Sequence, residues 1–319
     1  MDDHHGRFVW YELLTTDRAV AKAFYADVIG WGSRNASTDD FAYSLFMAGE
    51  VPVCGLMELP AEALRMGARP RWVGYLQVPD VDDMTVRLAR LGGSVYVPPT
   101  NSNIGRIAIV ADSQTATFAL VEGLTPRSSI SLEESGVGWH ELFASDGQAA
   151  FAFYRELFGW QSASAEVAGG MDGYQLFSTG GHTIGGMFTK QPQVPVPFWL
   201  YYFNVSDVGA AAKRVQAAGG RIMQGPIAMP DGSAIVRCID AQGAMFALQG
   251  ARREQDAGEG PTTELAWAAE WGGFASRGRL IAGPEAQAKR EARSRGKSQA
   301  KSQAKAQSRA PAEPRKPKR

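Results

Sequence analysis

Residues 8–31 read FVWYELLTTDRAVAKAFYADVIGW, and residues 137–160 read VGWHELFASDGQAAFAFYRELFGW. Aligned without a gap, 10 of these 24 positions are identical, where composition alone gives roughly one or two. Trp10 pairs with Trp139, Glu12 with Glu141, Asp17 with Asp146, Phe24-Tyr25 with Phe153-Tyr154, and Trp31 with Trp160. A match this dense marks an internal duplication. It continues downstream. Tyr43, Phe46 and Gly49 match Tyr174, Phe177 and Gly180; Trp72, Tyr75 and Asp80 match Trp199, Tyr202 and Asp207; Asp112 and Phe118 match Asp240 and Phe246. The spacing drifts by a few residues, as loop insertions would cause. The first copy spans 6–123 and the second 135–250, with 124–134 reading as a linker.

Within each copy a short run of β-formers and aromatics precedes an aspartate and then a helical pattern. Asp17 suits the N-cap. Val20, Phe24 and Val28 recur on one face, and Gly30 supplies the stop. Asp146, Ala149, Phe153, Leu157 and Gly159 repeat the arrangement. Strands are expected around 43–48, 53–58 and 72–78. A second helix should follow Asp80, with Val81, Met84, Leu88 and Leu91 inward; Val208, Ala211, Val215 and Ala218 are its counterparts. Two last strands flank Asp112-Ser113-Gln114-Thr115 in one copy and Asp240-Ala241-Gln242-Gly243 in the other, hairpin-like connections. Pro230-Asp231-Gly232-Ser233 reads as a further turn. The fold class is α+β, with helices covering one side of mainly antiparallel sheets.

The chain has 319 residues, 45% hydrophobic and 21% charged, enough apolar material for two cores. The polar start MDDHHGR lacks a signal-peptide apolar region, and no apolar run approaches bilayer length; a soluble, cytoplasmic protein is expected. Cys54 and Cys238 sit in apolar contexts and read as buried hydrophobes. The net charge of zero conceals an asymmetry. Residues 277–319 hold 14 Lys/Arg against 3 Asp/Glu, while the rest holds 19 against 30. Residues 284–319 are expected to be a disordered Lys/Arg-rich tail with weak polyanion binding. Residues 251–283 read either as an extension docked on the body or as a partner-binding segment.

The run from Asp17 through Phe24-Tyr25 to Gly30-Trp31 resembles the first βαβββ module of the vicinal oxygen chelate superfamily. That superfamily includes glyoxalase I, extradiol dioxygenases and bleomycin-resistance proteins. WVGYLQVPDVDDMTVRLARLGG (72–93) resembles its second module. The resemblance implies two tandem domains of paired βαβββ modules, packed as an intramolecular pseudo-dimer. It also implies where metal ligands would stand: the first-strand position falls on Trp10 and Trp139, and the last-strand position on Ala119 and Ala247. None of these binds a metal, so no metal is expected. His4 and His5 lie at the N-terminus, His140 should point to the opposite sheet face from Trp139, and His182 lies at a strand start or loop.

Glu12 and Glu141 follow the two tryptophans by two residues and share their strand face. They are the candidate acid/base groups, with Glu141 favoured because His140 and His182 add polar chemistry to its copy. Trp10, Trp139, Tyr75, Tyr202, Phe46 and Phe177 are the candidate ligand-binding aromatics. No phosphate loop or nucleophile motif appears, and no cofactor is expected. The leading expectation is a small-molecule-binding protein with aromatic-lined pockets and no catalytic metal. The alternatives are a lyase or dioxygenase of that superfamily with a degenerate metal site, and an interaction protein working through its basic tail.

Overall fold

The computed structural model describes residues 5–39, 41–124, 136–163, 173–229 and 232–251, all within one compact unit. The linker beyond Leu124, the 251–283 extension beyond Ala251, the 284–319 tail, His4 and the Pro230-Asp231 pair lie outside the described residues.

The first copy runs β1 (Phe8–Thr15), α1 (Arg18–Ile29), β2 (Gly32–Asn35), β3 (Tyr43–Ala48) and β4 (Val51–Glu58). After the short α2 (Ala61–Arg65) the pattern repeats as β5 (Arg71–Gln77), α3 (Val81–Arg90), β6 (Ser94–Ser102), β7 (Gly105–Ala111) and β8 (Thr117–Glu122). The second copy runs β9 (Val137–Ala144), α4 (Gly147–Phe158), β10 (Gln161–Ser162), β11 (Gln175–Thr179) and β12 (His182–Thr189). It closes with β13 (Phe198–Val205), α5 (Val208–Ala217), β14 (Arg221–Ala228), β15 (Ser233–Ile239) and β16 (Met245–Ala251). Each copy folds into one eight-stranded sheet, ordered β2-β3-β4-β1-β5-β8-β7-β6 and β10-β11-β12-β9-β13-β16-β15-β14. The sheets are mixed: β1 pairs parallel with β4 and antiparallel with β5. This is the expected α+β arrangement of two tandem domains, each of paired βαβββ modules. The short, wholly exposed β2 (GSRN) carries no apolar alternation and was not foreseeable.

Asp17 caps α1 by accepting from the Ala19 and Val20 amides, and Gly30 ends it with φ of 91°, a left-handed conformation that costs glycine little. The inward stripe of α1 is Ala21, Phe24, Tyr25 and Val28. Val20, expected on that face, is 43% exposed. In α4 the stripe is Ala150, Phe153, Tyr154 and Leu157, and Ala149 lies outward. Both stripes follow i, i+3, i+4 spacing, which a strict four-residue step misses.

One face of each sheet packs with the helices into a single core containing residues of both copies. Across it the copies exchange equivalent contacts, as an isologous pairing requires. Tyr25 donates to Asp240 Oδ2 (3.2 Å) and receives the Trp72 indole N–H (2.9 Å). Reciprocally, Tyr154 donates to Asp112 Oδ2 (3.0 Å) and receives that of Trp199 (3.0 Å). Gln242 bonds both backbone groups of Asp17, and Gln114 both those of Asp146. Trp31 and Trp160 are buried packing residues, and Cys54 and Cys238 are buried as expected. Among the described residues no helix is long and apolar enough to cross a membrane.

Each Trp–Tyr–Asp chain is buried, so deleting its central hydroxyl leaves a donor and an acceptor unmet. Tyr25→Phe and Tyr154→Phe should each lower the unfolding free energy by about 1–3 kcal/mol, by similar amounts because the two chains are equivalent. Guanidinium titrations with an unchanged m-value would show this.

Candidate functional site

Among the described residues, the long helices α1, α3, α4 and α5 all pack on the shared-core face and leave the second face of each sheet to strand side chains. Strand alternation decides which side chains reach it. A bulge at Val9 in β1 and one at Gly138 in β9 reset the alternation. Downstream of them Tyr11 and Leu13 face the shared core, while Trp10, Glu12 and Leu14 face the free side. In register, Trp10 stands beside Tyr75, and Tyr75 beside Ala119. Trp139, Tyr202 and Ala247 form the same row in the second sheet.

Glu12, only 7% exposed, accepts the hydroxyls of Tyr43 on Oε1 and Tyr75 on Oε2, both at 2.7 Å. Desolvation raises its pKa above the ordinary carboxylate value, and the two tyrosine hydrogen bonds offset that only in part. Burial and the adjacent carboxylate push both phenols up. The Trp10 indole N–H is buried without a well-formed hydrogen bond. Gly55 makes the arrangement possible: it pairs with Glu12 across β1 and β4, and a Cβ there would lie 1.9 Å from the Tyr43 hydroxyl.

The second copy repeats the cradle and adds a cation. Glu141 accepts from Tyr174 on Oε1 (3.0 Å), and from Tyr202 (2.6 Å) and Arg237 Nη2 (2.8 Å) on Oε2. The Trp139 indole donates to Tyr174 at 3.2 Å. Gly186, beside Glu141, leaves room for the Tyr174 ring. Arg237 also donates to Tyr202 and Gln224 and lies 5.2 Å from the centre of the Phe143 ring. Burial disfavours its charge, but Glu141 and Tyr202 outweigh that and raise its pKa. The equivalent of Arg237 in the first sheet is Ile109: each stands opposite the last-strand alanine.

The assignment of Phe46 and Phe177 to the ligand face is corrected, and so is the polar support expected for Glu141 from His140 and His182. Phe46 and Phe177 lie in the shared core, against Trp31 and Trp160 respectively, and not on the free face, because their strands present that parity to the helices. His140 adds nothing to the face of Glu141: as its strand position requires, it points into the core. His182 is exposed at the start of β12. Tyr43 and Tyr174, singled out by the repeat but not assigned to the site, turn out to hold the two carboxylates.

The comparisons agree with this architecture. A family model for the Glyoxalase/Bleomycin resistance protein/Dioxygenase superfamily matches residues 136–248. "Putative glyoxylase CFP32" of Mycobacterium tuberculosis (strain CDC 1551 / Oshkosh) is 30% identical over 244 residues, covering 75% of this chain and 92% of that protein. The chain belongs to this superfamily. The anthracycline biosynthesis protein DauV of Streptomyces sp. (strain C5) is 25% identical over 260 residues, 76% of this chain and 92% of its own. Among solved structures, a Mn(II)-bound glyoxalase from Novosphingobium aromaticivorans superposes with a TM-score of 0.55 at 15% identity (77% and 82% of the two chains). The 2,3-dioxygenase LapB of Pseudomonas sp. KL28 gives 0.54 at 13% (78% and 93%). These two likenesses are of fold alone.

The residues that would hold a metal in the superfamily do not fit one here. The row across each free face is Trp, Tyr and Ala. Among the described residues no three His, Cys, Asp or Glu side chains cluster. In the second sheet Arg237 already places a positive charge against the glutamate, and a divalent cation beside it would be repelled.

Two predictions follow from these environments. His140 is clamped between two partners: Nδ1 lies 2.6 Å from the Ile184 carbonyl oxygen and Nε2 2.6 Å from the Tyr11 hydroxyl. The carbonyl can only accept, so Nδ1 holds the proton and Tyr11 donates. Desolvation lowers the His140 pKa from 6.5 to about 4. Between those values the unfolded chain binds more protons, so stability falls as pH drops through that window. Wild type should lose on the order of 2–3 kcal/mol there that His140→Gln retains, measured as the difference in unfolding free energy at pH 7 and pH 4.5. Carboxylates with raised values (Glu12, Asp112, Asp240) titrate in both proteins and cancel in the comparison.

The two glutamates should also separate by calorimetry. Glu141→Gln leaves Arg237 buried and uncompensated, a loss of about 3–5 kcal/mol. Glu12→Gln faces hydroxyls only and should cost about 1 kcal/mol.

Proposed function

We propose that the chain is a small-molecule-binding protein of the superfamily whose ligand site is the aromatic face of the N-terminal sheet, opposite its long helices, working without a bound metal. Residues 6–123 and 135–250 form the two domains of an intramolecular pseudo-dimer. The observation that supports this reading is the Glu12 cradle: a buried carboxyl held by Tyr43 and Tyr75 beside Trp10, on the surface where metal ligands would stand in relatives. A carboxyl with a raised pKa and no cation beside it is better placed to donate a hydrogen bond to a ligand oxygen, or to exchange a proton with it, than an ordinary surface carboxylate. Trp10 offers an indole N–H and a flat apolar wall.

Glu141 fits this role less well than Glu12. Its two oxygens take three donors, one of them a guanidinium. Its face is also filled by a Phe143–Phe198 stack (4.5 Å between centres) with Phe188 edge-on (4.6 Å). In the first copy the matching positions are Leu14, Arg71 and Met57. Replacing three phenyl rings by slimmer side chains leaves the first face the roomier of the two. We assign Tyr202, Trp139 and Glu141 a supporting role in the second domain and Trp10, Tyr75 and Glu12 the binding role.

The test is a screen of uncharged aromatic compounds by tryptophan fluorescence in the presence of EDTA. Binding should saturate at one site per chain, be unaffected by EDTA, and weaken at least about tenfold in Trp10→Ala, a loss expected for removing an aromatic wall and a donor. Trp139→Ala should leave it unchanged. Binding that requires added Mn(II), Fe(II) or Zn(II), or that follows Trp139, would sink the reading.

A further inference from the structure

Arg71 opens β5, and its register partner is Leu14. It therefore shares the free face with Val73 and Tyr75, and with Glu12 one step along. The rung that joins Glu12 to Val73 and the rung that joins Leu14 to Arg71 are two residues apart, roughly 7 Å along the strand. The side chain is half-buried, and its Nε is sealed from solvent with no hydrogen-bond partner. Among the described residues no carboxylate pairs with it. Glu12 is turned to Tyr43 and Tyr75, and Glu58 near the end of the neighbouring β1–β4 pair is taken by Arg18. The nearby group that favours its charge is the Tyr96 phenol, and desolvation lowers its pKa to about 10. A guanidinium is still charged at neutral pH with that value.

An arginine in this condition is unusual, since a buried charge normally carries a partner. The second sheet shows how the chain resolves the problem when no ligand is involved. There Arg237 is matched by Glu141, Tyr202 and Gln224, and the position equivalent to Arg71 is Phe198. In the first sheet the cation stands at the edge of the face, and among the described residues no counter-charge accompanies it. Beside it stands Leu14, which would cover a hydrocarbon body but cannot neutralise a charge.

We infer that the free face of the N-terminal sheet takes a small aromatic or alicyclic acid, its anionic group on the Arg71 guanidinium and its ring along Leu14 and Val73 toward Trp10, so that a second polar atom reaches Glu12. The inference rests on the binding reading above and adds the charge and orientation of the ligand. Arg71 presents a planar fork of donors that suits a carboxylate. The spacing to Glu12 sets the length: an anionic group and a hydroxyl or carbonyl on opposite sides of one or two fused rings. The ligand anion would supply the counter-charge that the protein lacks, so binding should also stabilise the fold.

The probes are 2-naphthoate and 2-naphthamide, which share a ring system and differ in charge. By titration calorimetry with wild-type protein, 2-naphthoate should bind at least about tenfold more tightly than the amide, as a charged hydrogen bond allows. In Arg71→Met that preference should vanish while the amide affinity stays. Unliganded Arg71→Met should melt no lower than wild type, because it removes an uncompensated charge. Arg71→Lys should keep part of the preference, and it guards against a folding defect in the methionine variant. Equal binding of acid and amide to wild type, or a preference that survives Arg71→Met, would overturn the anion site and leave the binding reading standing. If neither compound binds and the neutral screen is also blank, the binding reading itself fails and this inference with it. A clear fall in the melting temperature of unliganded Arg71→Met would show that Arg71 is paired within the protein, and would equally overturn the proposal.

Discussion

A β-strand has two faces, and in β1 and β9 both are committed. One parity, Tyr11 and Leu13 in β1 and His140 and Leu142 in β9, is sealed in the core that the two copies share. The other, Trp10 and Glu12 or Trp139 and Glu141, is left for the free face. A shift of one residue would bring the glutamates into an apolar core and turn core side chains toward the free face. The bulges at Val9 and Gly138 set this parity. The inter-copy core then holds it, because Tyr11 and His140, equivalent residues of the duplication, meet each other across the pairing. The site and the association of the copies are two consequences of one strand register.

The duplication keeps its paired polar contacts across the shared core, while several positions on the free faces have diverged. The Trp–Tyr–Asp chains and the paired glutamines are retained in both copies. Such retention is expected where each partner must match the other, since a change on one side leaves a buried polar group unmet on the opposite side. The free faces have no such mutual constraint. On them Ile109 faces Arg237 in equivalence, Arg71 faces Phe198, and Leu14 faces Phe143. These few exchanges turn one cradle into a charge-balanced cluster and leave the other, among the described residues, beside an arginine that no carboxylate meets.

How much was legible in the sequence follows from this division. The repeat exposed what is identical between copies: the capped helices, the tryptophans at their ends, the glutamates and the family. Helix faces were nearly right, and Val20 failed only because a four-residue step drifts off a 3.6-residue period. Phe46 and Phe177 were misplaced because matching aromatic positions do not reveal which parity of β3 and β11 faces the helices. That depends on pairing with β4 and β12, a tertiary fact. Nothing in the sequence marks Gly55 and Gly186, yet each is the gap through which a tyrosine reaches a carboxylate. Arg71 and Arg237 escaped notice because attention to identities discards the positions that differ. The signal was there, as a lone arginine in an otherwise apolar strand in each copy, RWVGYLQ and SAIVRCI.

The second sheet also shows how a buried carboxylate can be held by protein donors alone. A buried carboxylate needs positive charge or strong donors to remain in place. A bound metal ion is one way to meet that need. Here Tyr174 and Tyr202 donate to Glu141, and Arg237 supplies the charge from the strand beside the last-strand alanine. A guanidinium differs from a metal in a way that matters for function: its donors are fixed in a plane and cannot accept a ligand's lone pair as a vacant coordination position would. Once Arg237 is in place, the second face has gained stability and lost its opening for chemistry at that point. The first face took the other course, with Ile109 at that position and hydroxyls alone on Glu12. On Glu12 burial raises the pKa and the two tyrosine hydroxyls offset that only in part, so the first face keeps a desolvated carboxyl that no internal ion pair has claimed.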